Sequence, residues 1–153
     1  MMQLYIDAFQ KLGVSILSND FIILIAAMVA FVFMLLTKGF VLAIKKRTNE
    51  WKKSKNVKFS KFLLNGASKF YTLFVTMISI FPLLGMLGTV VGLLGLDLAS
   101  GDMENIKNNF FIALTSTAWG IVFAVLFKLL YALIADDVEE QIEIAKKMSE
   151  ETE

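Results

Sequence analysis

The chain has 153 residues, 57% of them hydrophobic, with a formal net charge of +1 and neither cysteine nor histidine. This exceeds the roughly 45–50% apolar content of a soluble domain, and a near-zero charge gives nucleic-acid binding no electrostatic support. Without Cys there is no disulfide or thiolate metal site, and without His the commonest general base and metal ligand is missing, so no cofactor, no metal and no enzymatic activity are expected.

The charges collect in blocks between long apolar runs, as in a membrane protein. The pattern predicts an all-α membrane protein with three transmembrane helices and a short N-terminal amphipathic helix. Residues 1–19 carry Leu4, Ala8, Phe9, Leu12 and Ile16 at helical spacing, and read as an amphipathic helix on the outer membrane surface. They lack the basic start, strong apolar core and cleavage site of a signal peptide. The first transmembrane helix is placed at 20–44; its apolar run, Phe21 to Ile44, has Lys38 as its only charge. A basic link follows at 45–69, then the second transmembrane helix at 70–96 and a short loop at 97–109. The third transmembrane helix is placed at 110–135, with Lys128 its only charge, and an acidic tail at 136–153.

The link from Lys45 to Lys69 holds nine basic residues against one acid, Glu50, whereas the loop from Asp97 to Asn109 holds three acids and one base. Cytoplasmic loops carry the Lys/Arg excess, so the link is expected inside, the N-terminus outside and the C-terminus in the cytoplasm. Lys38 and Lys128 then lie in the cytoplasmic halves of their helices, where long side chains reach the headgroups. In the tail, Val138, Ile142, Ala145 and Met148 form a thin apolar stripe among eight acids and two bases. Two readings stay open: a helical extension lying against the basic link, and a solvated, fraying end.

The stretch PLLGMLGTVVGLLG, Pro82 to Gly95, holds the chain's only proline and four of its nine glycines. Gly85, Gly88, Gly92 and Gly95 share one helix face, with Thr89 beside it. On the third helix Ala113, Thr117, Gly120 and Ala124 form a matching small row, and Thr115 and Ser116 add hydroxyls. Pro82 is expected to bend the second helix ahead of the glycine face. Spacing alone allows two arrangements. In one the two faces pack on each other, each threonine bonding its own i−4 carbonyl. In the other both border a shared cavity holding a narrow helix or an ion. None of the three apolar runs contains Asp, Glu or His, so a proton path through them needs a titratable group from elsewhere.

The block Pro82–Gly92, PLLGMLGTVVG, resembles the PxxGLxGTVxG signature of the MotA/TolQ/ExbB proton-channel family, and Ala113–Gly120, ALTSTAWG, is similar to that family's ALxxTAxG signature. The resemblance covers about residues 70–137. It implies a homo-oligomer, a pentamer, in the bacterial inner membrane, surrounding a dimer of a single-helix partner resembling ExbD, TolR or MotB. That partner would supply an essential membrane aspartate, and Thr89 and Thr117 would line the ion path near it. The chain departs from the pattern where members usually carry a Glu, here Ile112. It also departs in lacking a proline at Ala124–Phe127 and in its short link. Both a minimal family member and the membrane part of a longer chain fit.

The resemblance makes an ion-driven rotary motor subunit the leading expectation. Thr89, Thr117, Ser116 and Thr115 are its ion-pathway candidates. Pro82, Gly85, Gly88, Gly92, Gly95, Ala113, Gly120 and Ala124 are assigned to helix packing and partner contact. The alternatives are a self-sufficient, holin-like pore and a structural scaffold whose glycine faces serve packing only. The bilayer is a partner in every reading, and nucleic acid in none.

Overall fold

In lipid a chain closes its backbone hydrogen bonds within each segment, so long apolar runs become helices. The computed structural model describes residues 2–18, 20–53, 61–96 and 101–151. It shows four helices: α1 (Met2–Ser18), α2 (Phe21–Lys53), α3 (Lys61–Leu94) and α4 (Met103–Glu151). Among the described residues there is no strand. Of the residues named above, Asp97 and the side chains of Leu4, Ala8 and Phe9 lie outside the described residues, as do residues 54–60 of the basic link and the side chains of Lys52 and Lys53.

Helices α2, α3 and α4 are each long and apolar enough to cross a membrane, and the chain is a multi-pass membrane protein. All three overrun their apolar stretches. At 1.5 Å per residue, the 34 residues of α3 extend well past the roughly 30 Å hydrocarbon layer. The 49 residues of α4 run without interruption from Met103 through the acidic tail. Helix α3 likewise continues through Pro82.

Polar residues set the helix ends. The Asp20 N–H donates to the Ser15 carbonyl (3.1 Å), and the Asp20 carbonyl accepts from the N–H groups of Ile23 and Leu24, so this one residue closes α1 and starts α2. Asp102 caps α4, its carboxylate accepting from the Glu104 (3.0 Å) and Asn105 (3.3 Å) N–H groups. At the other end of α3, the Asn109 side-chain amide donates to the Gly95 carbonyl (2.8 Å).

The chain divides into two compact units. The first comprises residues 1–28 and 77–127. Its core includes Ile23 and Ala27 of α2, Ile78 and Phe81 of α3, and Ala113, Ala124 and Phe127 of α4. Phe81 stacks on Phe127 (centroids 5.2 Å apart) and on Phe123 (5.8 Å), and Trp119 continues the stack on Phe123 (5.5 Å).

The second unit comprises residues 29–76 and 128–153. Ile44, Ala67, Ala145 and Met148 form its buried centre, flanked by Phe40, Trp51, Leu63, Leu64, Ile142 and Ile144. The tail stripe is part of this core: Val138, Ala145 and Met148 are buried, and Asp137 pairs with Lys45 (3.6 Å) at the exposed edge. Tyr71 stacks on Tyr131 and donates to the Glu139 carboxylate (2.7 Å). Lys38 and Lys128 are exposed.

Within the chain, only 22% of the most apolar window of α3 is buried. Leu83, Met86, Leu87, Val90, Val91 and Leu94 of α3 are exposed, an apolar surface suited to lipid or to further subunits.

Candidate functional site

The small rows on α3 and α4 face each other in the first unit. A Cβ added at Gly120 would lie 2.7 Å from the Phe81 carbonyl oxygen and 2.9 Å from the Gly85 Cα. One added at Gly92 would lie 2.8 Å from the Ala113 backbone nitrogen. Gly88 meets the Ser116 side chain, and Gly95 meets Asn109. The glycines therefore let two backbones touch, which in lipid is a main source of helix association. Of the two arrangements that spacing allowed, the small faces within one chain adopt the packed one. Ala113 and Ala124 are buried in the same core, while Pro82 is exposed.

This approach brings together hydroxyls from distant parts of the chain. Thr89 Oγ1 lies within reach of two carbonyls, its own i−4 Gly85 (3.1 Å) and Ala113 across the interface (3.2 Å). Thr89 and Thr117 also hydrogen-bond to each other through their hydroxyls. A hydroxyl has one proton and two lone pairs. Thr117 Oγ1 also reaches the Gly85 carbonyl (3.4 Å), so either threonine can donate to the other while its partner's proton goes to a carbonyl, and in both arrangements Thr117 Oγ1 keeps at least one lone pair. Both threonines are half-buried, so the pair is partly accessible from outside the chain. Thr115 is turned away: it is buried and donates to the Ile112 carbonyl (3.1 Å). Ile112 is half-buried and brings no polar side chain to the site.

Ser116 has a partner that the apolar runs do not reveal. Its hydroxyl donates to Oδ1 of Asp20, a residue only 2% exposed. The carboxylate expected from elsewhere thus has a counterpart in this chain, and this corrects the expectation that the chain lacks one beside the hydroxyls. Asp20 stands one position before the apolar run, where it reads as a boundary residue. Ninety-six positions separate it from Ser116, so no local spacing exposes the contact. The one signal available was an acid flush against the first apolar residue.

Two further contacts were absent from the sequence reading. Trp119 Nε1 donates to the Leu12 carbonyl (3.0 Å) and to Ser15 Oγ (3.2 Å), joining α1 to α4 within the first unit. Asn109 joins the end of α3 to the start of α4. No group of three or more metal-ligating side chains occurs among the described residues.

The family model described as the MotA/TolQ/ExbB proton channel family matches residues 56–147. No curated protein and no solved structure matches the chain. The matched segment takes in the Thr89–Thr117 pair and the whole glycine interface; Asp20 and α1 lie outside it.

Proposed function

The chain belongs to the MotA/TolQ/ExbB proton channel family, and on that premise we propose that it is one subunit of an ion-driven rotary motor in the bacterial inner membrane. Five copies surround a dimer of a single-helix partner that carries a membrane aspartate. The ion, H⁺ or Na⁺, passes the Thr89 and Thr117 hydroxyls on its way to that aspartate, and its flow is converted to mechanical work. The N-terminus lies outside and the C-terminus in the cytoplasm, an orientation that the Lys/Arg excess of the link supports. The chain catalyses no covalent chemistry.

The observation that carries this reading is the half-buried Thr89–Thr117 pair. Threonines used only to seal a helix interface need no exposure. These two retain it, and Thr117 Oγ1 keeps a lone pair for a passing cation. The exposed apolar surface of α3 supports assembly with further membrane helices.

The packed glycine faces support a second reading, a structural membrane scaffold, because Thr89 also satisfies itself on the Gly85 carbonyl. Counting subunits in native nanodiscs, by mass or by microscopy, tests the motor reading. Five copies with additional single-helix density at the axis are expected. A monomer, or a ring closed at its axis, contradicts it.

A further inference from the structure

An aspartate just ahead of a helix ordinarily lends its carboxylate to the first N–H groups of that helix. Asp102 does so for α4. Asp20 occupies the same position before α2, yet gives its backbone to the turn and its carboxylate to something else. Oδ1 accepts from Ser116, and Oδ2, equally buried, has no hydrogen-bond partner among the described residues. A buried carboxylate is costly unless it is paired, hydrogen-bonded or neutralised, and within a membrane an ionisable group normally marks a functional site.

The charged residues on the elements packed around it are few. In the first unit α1 carries Asp7 and Lys11, and α4 carries Glu104 and Lys107; all four are exposed. The part of α3 from Met77 to Leu94 carries no charge. An open cleft with a mixed lining, Lys11, Ser15 and Asn108 with Val14 and Phe111 among its residues, reaches Ser15, whose carbonyl holds the Asp20 N–H. On the other side, Ser116 adjoins Thr117 in sequence and packs on Gly88, one residue before Thr89. Asp20 is thus joined through its backbone to a residue of this cleft and through its carboxylate to Ser116, the chain neighbour of Thr117.

We propose that Asp20 is a cation acceptor belonging to this chain itself. Its unpartnered Oδ2 takes up a monovalent cation, a proton or a sodium ion, while Ser116 holds Oδ1 in place. Its biological sense, a staging point on the ion path, rests on the motor reading; the binding itself does not.

The test is infrared difference spectroscopy on the full chain in nanodiscs of phosphatidylethanolamine and phosphatidylglycerol, in two arms. One arm steps pH without sodium, and the other steps sodium chloride against choline chloride at fixed pH. In the wild type a carboxyl band responds in one arm. It converts to a protonated C=O band if the cation is a proton, or shifts as a carboxylate stretch if it is sodium. The band is lost in Asp20→Asn and displaced in Ser116→Ala. Asn matches Asp in shape, and the bonds that start α2 come from the Asp20 backbone, so circular dichroism of Asp20→Asn should be unchanged. If that variant does not fold, the displacement in Ser116→Ala decides alone. Identical difference spectra for wild type and Asp20→Asn in both arms overturn the proposal, as does a band indifferent to Ser116→Ala. No partner and no flux enter the measurement, so its failure leaves the motor reading standing, and a failed flux experiment leaves the Asp20 site standing.

Discussion

Thr89 of α3 and Thr117 of α4 hydrogen-bond to each other across 28 residues of sequence, and they meet because the glycines beside them have no side chains. Gly85 and Gly120 bring the two backbones into contact, and the hydroxyls one turn from Gly85 and one turn before Gly120 are then within reach. Packing residues and chemical residues are thus one device: the small faces set the distance and the threonines occupy it.

The pair should be energetically coupled. Replacing either threonine by valine keeps the shape and removes one hydroxyl, at a cost of about 1 kcal/mol. Because each hydroxyl loses the same bond, the double variant should cost less than the sum of the singles. A double-mutant cycle by reversible unfolding in mixed micelles checks this, and strict additivity would show that the two do not interact.

Bulk at the glycine face should be far more damaging. A side chain at Gly88 meets Ser116, and one at Gly120 meets the Phe81 carbonyl and the Gly85 backbone. Gly88→Leu and Gly120→Leu should separate α3 from α4 and lose the assembled particle, whereas Gly39→Leu, in open space within the chain, should not. Size measurement in detergent distinguishes them.

Trp119 fastens α1 through its indole N–H. Trp119→Phe preserves the ring stack on Phe123 and removes the donor, at about 1 kcal/mol. Amide exchange should accelerate across α1 and remain slow in α4. Unchanged exchange in α1 would show that other contacts hold it.

In the second unit Ala145 is fully buried beside Ile44, Ala67 and Met148. Ala145→Leu overfills that space, at a typical cost of 1–3 kcal/mol, roughly. Limited proteolysis should then cut the acidic tail sooner, while the first unit stays protected. Equal protection of the tail would mean that its stripe does not hold it.

The sequence made some of this legible and hid the rest, for physical reasons. The three spans could be read because lipid imposes uniform apolarity over a fixed length. The glycine and alanine rows could be read because helical spacing places them on one face, and the tail stripe from Val138 to Met148 for the same reason. Helix ends could not: α2 runs on to Lys53, α3 starts at Lys61, and α4 starts at Met103. Outside the bilayer a charged segment is as good a helix as an apolar one, so composition marks the membrane and not the helix. The site was half visible. Thr89 and Thr117 sit in recognisable blocks, but whether small faces meet each other or line a cavity is a tertiary question. The role of Asp20 was not legible beyond its place flush against the first apolar run, since its partner is on another helix and its neighbours look like an ordinary span boundary.

Ion flux tests the central claim, that the Thr89–Thr117 pair lies on the path of the driving ion. The complex purified from its native membrane, with whatever single-helix partner accompanies it, is placed in vesicles under an imposed proton or sodium gradient. Thr89→Val and Thr117→Val should each abolish ion-driven turnover while leaving the subunit count intact. Wild-type flux in both variants would place the ion elsewhere and leave the hydroxyl pair a packing contact only.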